Sequence, residues 1–253
     1  MTTTTSTTST ATPPTSWNLT RKLAQASTET PFIQHLSAGT LPAKSFDDWL
    51  YNDYVYVRSH IRFIARLISV LPAEAAEVEA RLRDGYRVLG DELAEFRRRA
   101  GERGIHLPSL PAVPQTPEEE DSRALDAAYE ELAGIPGVKD GCKVHMKFML
   151  TLAQPAAAAA AEWKTLLAVF WASEKVYCDA MWFVKEAEGF ARLEASMSGF
   201  VGWWANVPFR EYVDFLEEAV AKTGVKLEEV QGPLEELLRG EEAFWRMCEE
   251  GLE

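Results

Sequence analysis

Apolar residues recur three and four positions apart through most of this chain. No stretch alternates apolar with polar, and no two β-branched runs flank a hairpin turn. The spacing predicts an all-α protein, with eight or nine helices in one bundle-like domain and no internal repeat. A first helix is expected from near Trp17 to about Ala26. After Phe32, Leu36 and the turn at Gly39 to Pro42, Ser45 reads as the N-cap of a helix to about Val70. Asp47 and Asp48 would suit its dipole. Pro72 ends it, and Glu74 to Arg103 predicts a long helix closed by Gly104. Leu107 to Pro117 holds four prolines and reads as a loop, while Pro117-Glu118-Glu119-Glu120 has the Pro-first, acid-rich form of a helix start, ending near Gly134. Further helices are expected over Lys143 to Ala153, Ala156 to Glu188 (opened by an alanine run), Phe190 to Trp204 and Asn206 to Lys222. A last one runs from Leu227 to Glu250, with a possible break at Gly232-Pro233.

Three of the predicted stripes contain an acid where the pattern asks for leucine. Asp53 follows Phe46, Trp49 and Leu50 and precedes Val57, Ile61, Ile64 and Ile68. Glu174 lies between Phe170 and Tyr177, which leads on to Met181. Glu241 follows Leu234 and Leu237 and precedes Phe244 and Trp245. A carboxylate on an apolar face loses hydration, so it must be paired, hydrogen-bonded or neutralised. One acid alone reads equally well as half of a core ion pair. Three together, each beside aromatics, point to a shared pocket for a small aromatic ligand bearing an amino group.

Composition narrows the partners. The formal charge of −13 opposes nucleic acids and anionic membranes, and no apolar run reaches membrane-spanning length. Arg97-Arg98-Arg99, set among Glu92, Glu95 and Glu102, reads as a solvated helix face. Cys142, Cys178 and Cys248 are odd in number and widely spaced, which fits a reducing, cytoplasmic setting. Met1 to Ser16, nearly all Thr, Ser, Ala and Pro, reads as a disordered tail before a helical domain over 17–253. No Glu-x-x-His pair supports a di-metal site, and Cys142-x-x-His145 is half a zinc site, so no metal or other cofactor is expected. A haem on an axial His35 or His60 is the competing reading, beside a protein that binds its small aromatic ligand without catalysis.

Pro31 to Pro42, then Phe46 to Val57 with its Asp53-Tyr54-Val55-Tyr56 motif, resemble the opening of the TenA/thiaminase II family. The resemblance continues through Asp91 to Phe96 and Phe170 to Tyr177, and ends at Glu241 to Trp245. It implies the all-helical haem-oxygenase-like fold and thiamin salvage on aminopyrimidines. One branch of the family carries a nucleophilic Cys four residues before a Tyr; here Ser173 stands four before Tyr177, so the chain resembles the Glu-type (TenA-E) branch. Trp203 to Asn206 with Phe209 also resembles that branch. The resemblance assigns the aminopyrimidine edge to Asp53, with Tyr56 and Tyr177 lining the site and Glu174 and Glu241 as the catalytic acids. Trp171, Trp204 or Phe148 would offer the stacking face. Many members line the pocket with a Tyr three residues before an aromatic, where this chain has His145 before Phe148.

The implied reaction is hydrolysis of N-formyl aminopyrimidine, aminomethylpyrimidine, or both, to hydroxymethylpyrimidine. Glu241 would activate water and Glu174 would serve the leaving amine, or the reverse. A small-molecule partner and a homo-oligomer, preferably a dimer, are the associations the resemblance implies.

Overall fold

The computed structural model describes residue 17, residues 19–121, 125–154 and 162–249, and residue 252. Among these there are helices and no strand. In chain order they are α1 (Thr20–Ala26), α2 (Pro31–Ser37), α3 (Ala43–Ser69), α4 (Ala76–Glu102), α5 (Pro117–Asp121), α6 (Leu125–Ala133), α7 (Asp140–Leu152), α8 (Glu162–Glu186), α9 (Ala195–Trp204), α10 (Val207–Lys222) and α11 (Leu227–Arg246). Short 3-10 turns cover Ala73–Ala75 and Glu188–Arg192. The helical class is as the apolar spacing predicts, with more and shorter elements than expected. The tail reading for residues 1–16, the alanine run before residue 162 and the join between α5 and α6 lie outside the described residues.

α3 is the axis of the bundle. It is buried on nearly every side, and its contacts run to α4, α5, α7 and α8. A helix buried all round must bury its polar groups with partners. Asn52 accepts from the Lys139 backbone N–H at 2.8 Å, which ties the start of α7 to α3. Arg58 donates to the carbonyls of Pro111 and Ala112, and Tyr86 donates to that of Pro114. The proline-rich connection is thus pinned across α3 and α4.

Several local expectations are corrected. Ser45 is not a cap: α3 starts at Ala43 after extended Pro42, and Ser45 is buried in its first turn. Asp48 instead pairs with Lys44 and Lys139, and Asp47 with Arg103. α11 is not broken at Pro233, which stands inside a continuous helix. The burial of Val230, Leu234 and Leu237 outweighs the one backbone hydrogen bond that proline removes. The predicted solvated face on α4 holds only in part. Arg98 pairs with Glu95 and Glu102 at the surface, but Arg99 and Glu92 are buried. Asn206 does cap α10, its side chain accepting from the Phe209 N–H at 2.9 Å. Gly104, at φ +71°, follows the end of α4.

α7 and α11 approach closely because Gly141 lies against the α11 backbone. A Cβ there would fall 2.2 Å from the Ala243 carbonyl oxygen. This contact sets the position of α11, and with it Glu241.

Candidate active site

One cavity of about 470 Å³ opens between α3, α4, α8, α11 and the α9–α10 junction. Its volume lies in the range of small-molecule sites. α3 contributes Asp53, Tyr56, Val57, His60 and Ile64, which share one helical face by their spacing. α8 presents Phe170, Ser173, Glu174 and Tyr177, and α11 presents Glu241 and Phe244. Trp203, Trp204 and Phe209 wall the mouth with Tyr212, and Arg81 and Asp84 of α4 stand nearby.

The three acids picked from their stripes do meet in this cavity. Asp53, 2 % exposed, accepts a 2.7 Å hydrogen bond from the Tyr177 hydroxyl. Burial pushes its carboxyl up to about 7; the tyrosine opposes this and Glu241 adds to it. Glu241 accepts a 2.8 Å hydrogen bond from Ser173 Oγ. Glu174 Oε1 lies 2.8 Å from His60 Nε2, and His60 Nδ1 lies 3.2 Å from the Tyr56 hydroxyl. Tyr177 sits edge-on to Trp204 at 5.0 Å and holds its hydroxyl toward Asp53.

Other predicted residues are placed differently. Trp171 is fully buried away from the cavity and packs edge-on against Trp17 at 6.2 Å, so it offers no stacking face. It lies a quarter turn or so from Phe170 and Glu174 on α8, on the side facing α1. Phe148 is not a lining residue either, which leaves Trp204 as the indole or phenyl from that set on the cavity wall. His145 is fully buried behind the lining. Its ring stacks on Tyr56 at 4.6 Å, and its Nε2 lies 3.3 Å from Glu241 Oε1 without hydrogen-bond geometry. It therefore supports Tyr56 and Glu241 rather than facing a ligand.

Three contributors were not assigned to the acid-lined pocket from the sequence. Glu92 lines the cavity, is 2 % exposed, and its Oε2 has no hydrogen-bond partner among the described residues. Burial, reinforced by Asp53 and Glu174, raises its pKa well above the ordinary carboxylate range. Its spacing from Leu89 and Phe96 was the signal that it belongs to the buried stripe. His60 follows Asp53 and Tyr56 at helical spacing, which aligns all three on one face. Both its ring nitrogens are engaged, by Tyr56 and Glu174, and His35 Nδ1 lies 3.0 Å from Thr40 Oγ1. These contacts do not favour an axial haem ligand. Ser173, noted as the residue in the cysteine slot, holds Glu241.

None of the three cysteines lines the cavity, and all three are buried and free. Burial pushes Cys178 and Cys248 up to about 12 and raises Cys142 well above its usual range. These are inert thiols.

The described residues form an all-helical fold with an acid-lined, aromatic-walled pocket whose size is that of small-molecule sites. The model of the TENA/THI-4/PQQC family matches residues 17–125 of the chain. The chain is 28 % identical to an uncharacterised protein of Schizosaccharomyces pombe over 202 residues, covering 77 % of this chain and 79 % of that one. It is 25 % identical to a probable bifunctional TENA-E protein of Glycine max over 235 residues, covering 90 % and 88 %. Its fold matches that of a TenA homologue from Pyrococcus furiosus, with a TM-score of 0.68 and 19 % identity over 90 % of this chain and 95 % of that one. A TenA homologue from P. horikoshii superposes with a TM-score of 0.62 and 20 % identity, covering 92 % and 99 %.

Proposed function

We propose that this chain is a thiamin-salvage hydrolase of the Glu type, converting N-formyl aminopyrimidine, aminomethylpyrimidine, or both, to hydroxymethylpyrimidine. The observation that carries this reading is the meeting of Asp53, Glu174 and Glu241 in one cavity lined by no cysteine. The coverage of the soybean TENA-E protein, which extends to 90 % of this chain, supports the branch.

In this reading Asp53 accepts from the exocyclic amine and ring nitrogen of the pyrimidine, a charge-assisted contact of the strong kind. Tyr177 orients that carboxylate, and Trp204 contributes the aromatic wall. For the aminomethyl substrate, the oxygen of water bonds to the methylene carbon as the carbon–nitrogen bond breaks. Glu241 takes a proton from that water, and Glu174 gives one to the departing nitrogen, which leaves as ammonia. For the formyl substrate the same pair first cleaves the amide with one water, releasing formate and aminomethylpyrimidine, which a second water then converts to hydroxymethylpyrimidine as above. Glu241 suits the base role because Ser173 already donates to it, leaving a carboxylate lone pair for water. Glu174 suits the acid role because it faces the cavity while sharing a hydrogen with His60.

The test is a product assay on the purified protein with N-formyl aminopyrimidine, aminomethylpyrimidine and thiamin in parallel, with Glu174→Gln alongside. Hydroxymethylpyrimidine from either of the first two and none from thiamin, lost in the variant, is the expected result. Cleavage of thiamin, or no turnover of any of the three, overturns it.

A further inference from the structure

Glu92 is a cavity acid that the hydrolysis does not use. It is 2 % exposed, and its Oε2 has no hydrogen-bond partner among the described residues. A buried carboxyl oxygen without a donor is costly unless a ligand supplies one. The basic groups on the same helix are engaged elsewhere. Arg99, two turns further along α4, donates to Glu95 at 2.7 Å and stands over the Phe200 ring. Arg81, the one Lys or Arg among the described lining residues, stands over the rings of Tyr212 and Phe215. The missing donor is therefore left to the ligand.

The position of Glu92 shows which donor can reach it. α3 and α4 run antiparallel, joined through residues 70–75. Tyr54 of α3 meets α4 at Phe96, ring to ring at 6.2 Å, and at Arg97, whose Nε donates to the Tyr54 hydroxyl at 3.0 Å. The lining residues of α3 run from Asp53 to Ile64, and those of α4 run back from Glu92 to Arg81. Asp53 and Glu92 thus share the buried end of the cavity, each 2 % exposed, while Asp84 and Arg81 stand at the exposed end. One helical turn from Phe96 puts Glu92 alongside the part of α3 that leads from Asp53 to His60, which holds Glu174. The exocyclic amine of the pyrimidine has two N–H groups in the plane of the ring. One lies beside the ring nitrogen and is shared with Asp53. The other points toward the carbon that carries the reacting methylene, away from the edge held by Asp53.

We propose that Glu92 accepts this second N–H, so that Asp53 and Glu92 hold the amine from two sides and make the cavity specific for aminopyrimidines. The assignment rests on the reading above, in which Asp53 takes the pyrimidine edge. Burial raises the Glu92 pKa well above the ordinary carboxylate range, so the acid keeps its proton in the empty cavity. The carbonyl oxygen of a neutral acid still accepts an N–H. A ring without the amine leaves that oxygen unpartnered, and this loss discriminates against it.

Isothermal titration tests the contact with two ligands: hydroxymethylpyrimidine and its analogue carrying hydrogen in place of the exocyclic amine. The proteins are wild type, Glu92→Ala and Glu92→Leu, the last keeping the side-chain volume so that the fold is retained. Wild type is expected to bind the amine more tightly than the analogue. In both variants that ratio of Kd values should shrink about tenfold, with the affinity for the analogue changed by no more than a few-fold. A ratio equal to wild type in the variants overturns the contact and leaves the Asp53 reading standing. Equal weakening of both ligands also overturns it, since that is the mark of a purely structural role. Wild type that binds neither ligand, or both equally, overturns the aminopyrimidine reading and the assignment of Glu92 with it.

Discussion

His60 and Glu174 are 114 positions apart in the chain, and His60 Nε2 lies 2.8 Å from Glu174 Oε1. The contact joins α3 to α8 across the cavity wall and fixes the direction in which Glu174 points. A carboxylate on a half-open wall keeps one geometry only when a partner holds it. Tyr56 holds the far side of the imidazole, so the orientation is passed back to the face that carries Asp53.

Replacing Glu241 with glutamine keeps its size and its contact with Ser173 and removes the carboxylate that serves as base in the proposed mechanism. The expected loss in kcat for aminomethylpyrimidine is about 10²–10⁴-fold, with a smaller change in KM. Steady-state kinetics of the purified variant check it, and a kcat within a few-fold of wild type would remove Glu241 from the mechanism.

Asp53→Asn tests recognition. An asparagine keeps one acceptor and loses the charge, so binding weakens by about 1.5–3 kcal/mol, roughly ten- to hundredfold in Kd. Isothermal titration with hydroxymethylpyrimidine reads this directly. Unchanged affinity would place the pyrimidine edge elsewhere in the cavity.

The same variant carries a pH signature. The Asp53 carboxyl is raised to about 7 in the folded protein from an ordinary value of 3.8. A raised acid holds its proton better folded than unfolded, so its contribution to stability is fully present below the unfolded value. It is lost as pH rises through the folded value. Wild type should therefore lose stability relative to Asp53→Asn between about pH 4 and pH 7, by a few kcal/mol. Urea unfolding of both proteins at pH 5 and pH 8 measures the difference, and a gap that does not change with pH counts against a raised Asp53.

Glu92→Gln removes a buried acid that has an unpartnered oxygen and two acidic neighbours. Because its pKa is raised, ionisation costs stability as pH climbs, and the amide does not ionise. The variant should melt higher than wild type at pH 8 and yet turn over the amine more slowly, because the cavity loses an acceptor for N–H groups. Differential scanning fluorimetry and the product assay together check both halves. A lower melting temperature would show that Glu92 is structurally required.

Gly240→Ala targets the support of Glu241. Its Cβ would fall 2.5 Å from His145 Nδ1, and that ring is fully buried between Tyr56 and α11. The ring must move, and overpacking of this kind typically costs about 1–3 kcal/mol. The expected outcome is a lower melting temperature together with reduced kcat. Wild-type values of both would mean that His145 shifts freely and does not brace the site.

Much of the site was visible along the chain. Asp53, Glu174 and Glu241 each interrupt an apolar stripe, and each lines the cavity. Trp171 and Trp204 look alike as aromatics near an acid, but only Trp204 reaches the wall. On α8 the spacing from Glu174 to Trp171 does not say which neighbouring helix each side faces. Glu92 was taken with the charges beside it, because a local run of Arg and Glu resembles a solvated surface until α3 is packed over it.

The chain by itself determined the helical class, the long central helices and the three acids that had to find partners. These follow from periodicity and from the cost of dehydrating a charge, and both are local properties. The tertiary structure decided which partners those acids took. Ser173 with Glu241 and His60 with Glu174 depend on how α3, α8 and α11 lie against one another. That arrangement is set by close packing at points such as Gly141 against Ala243. A hydrogen bond is directional over a few tenths of an ångström, and no spacing within a single helix encodes the distance to another.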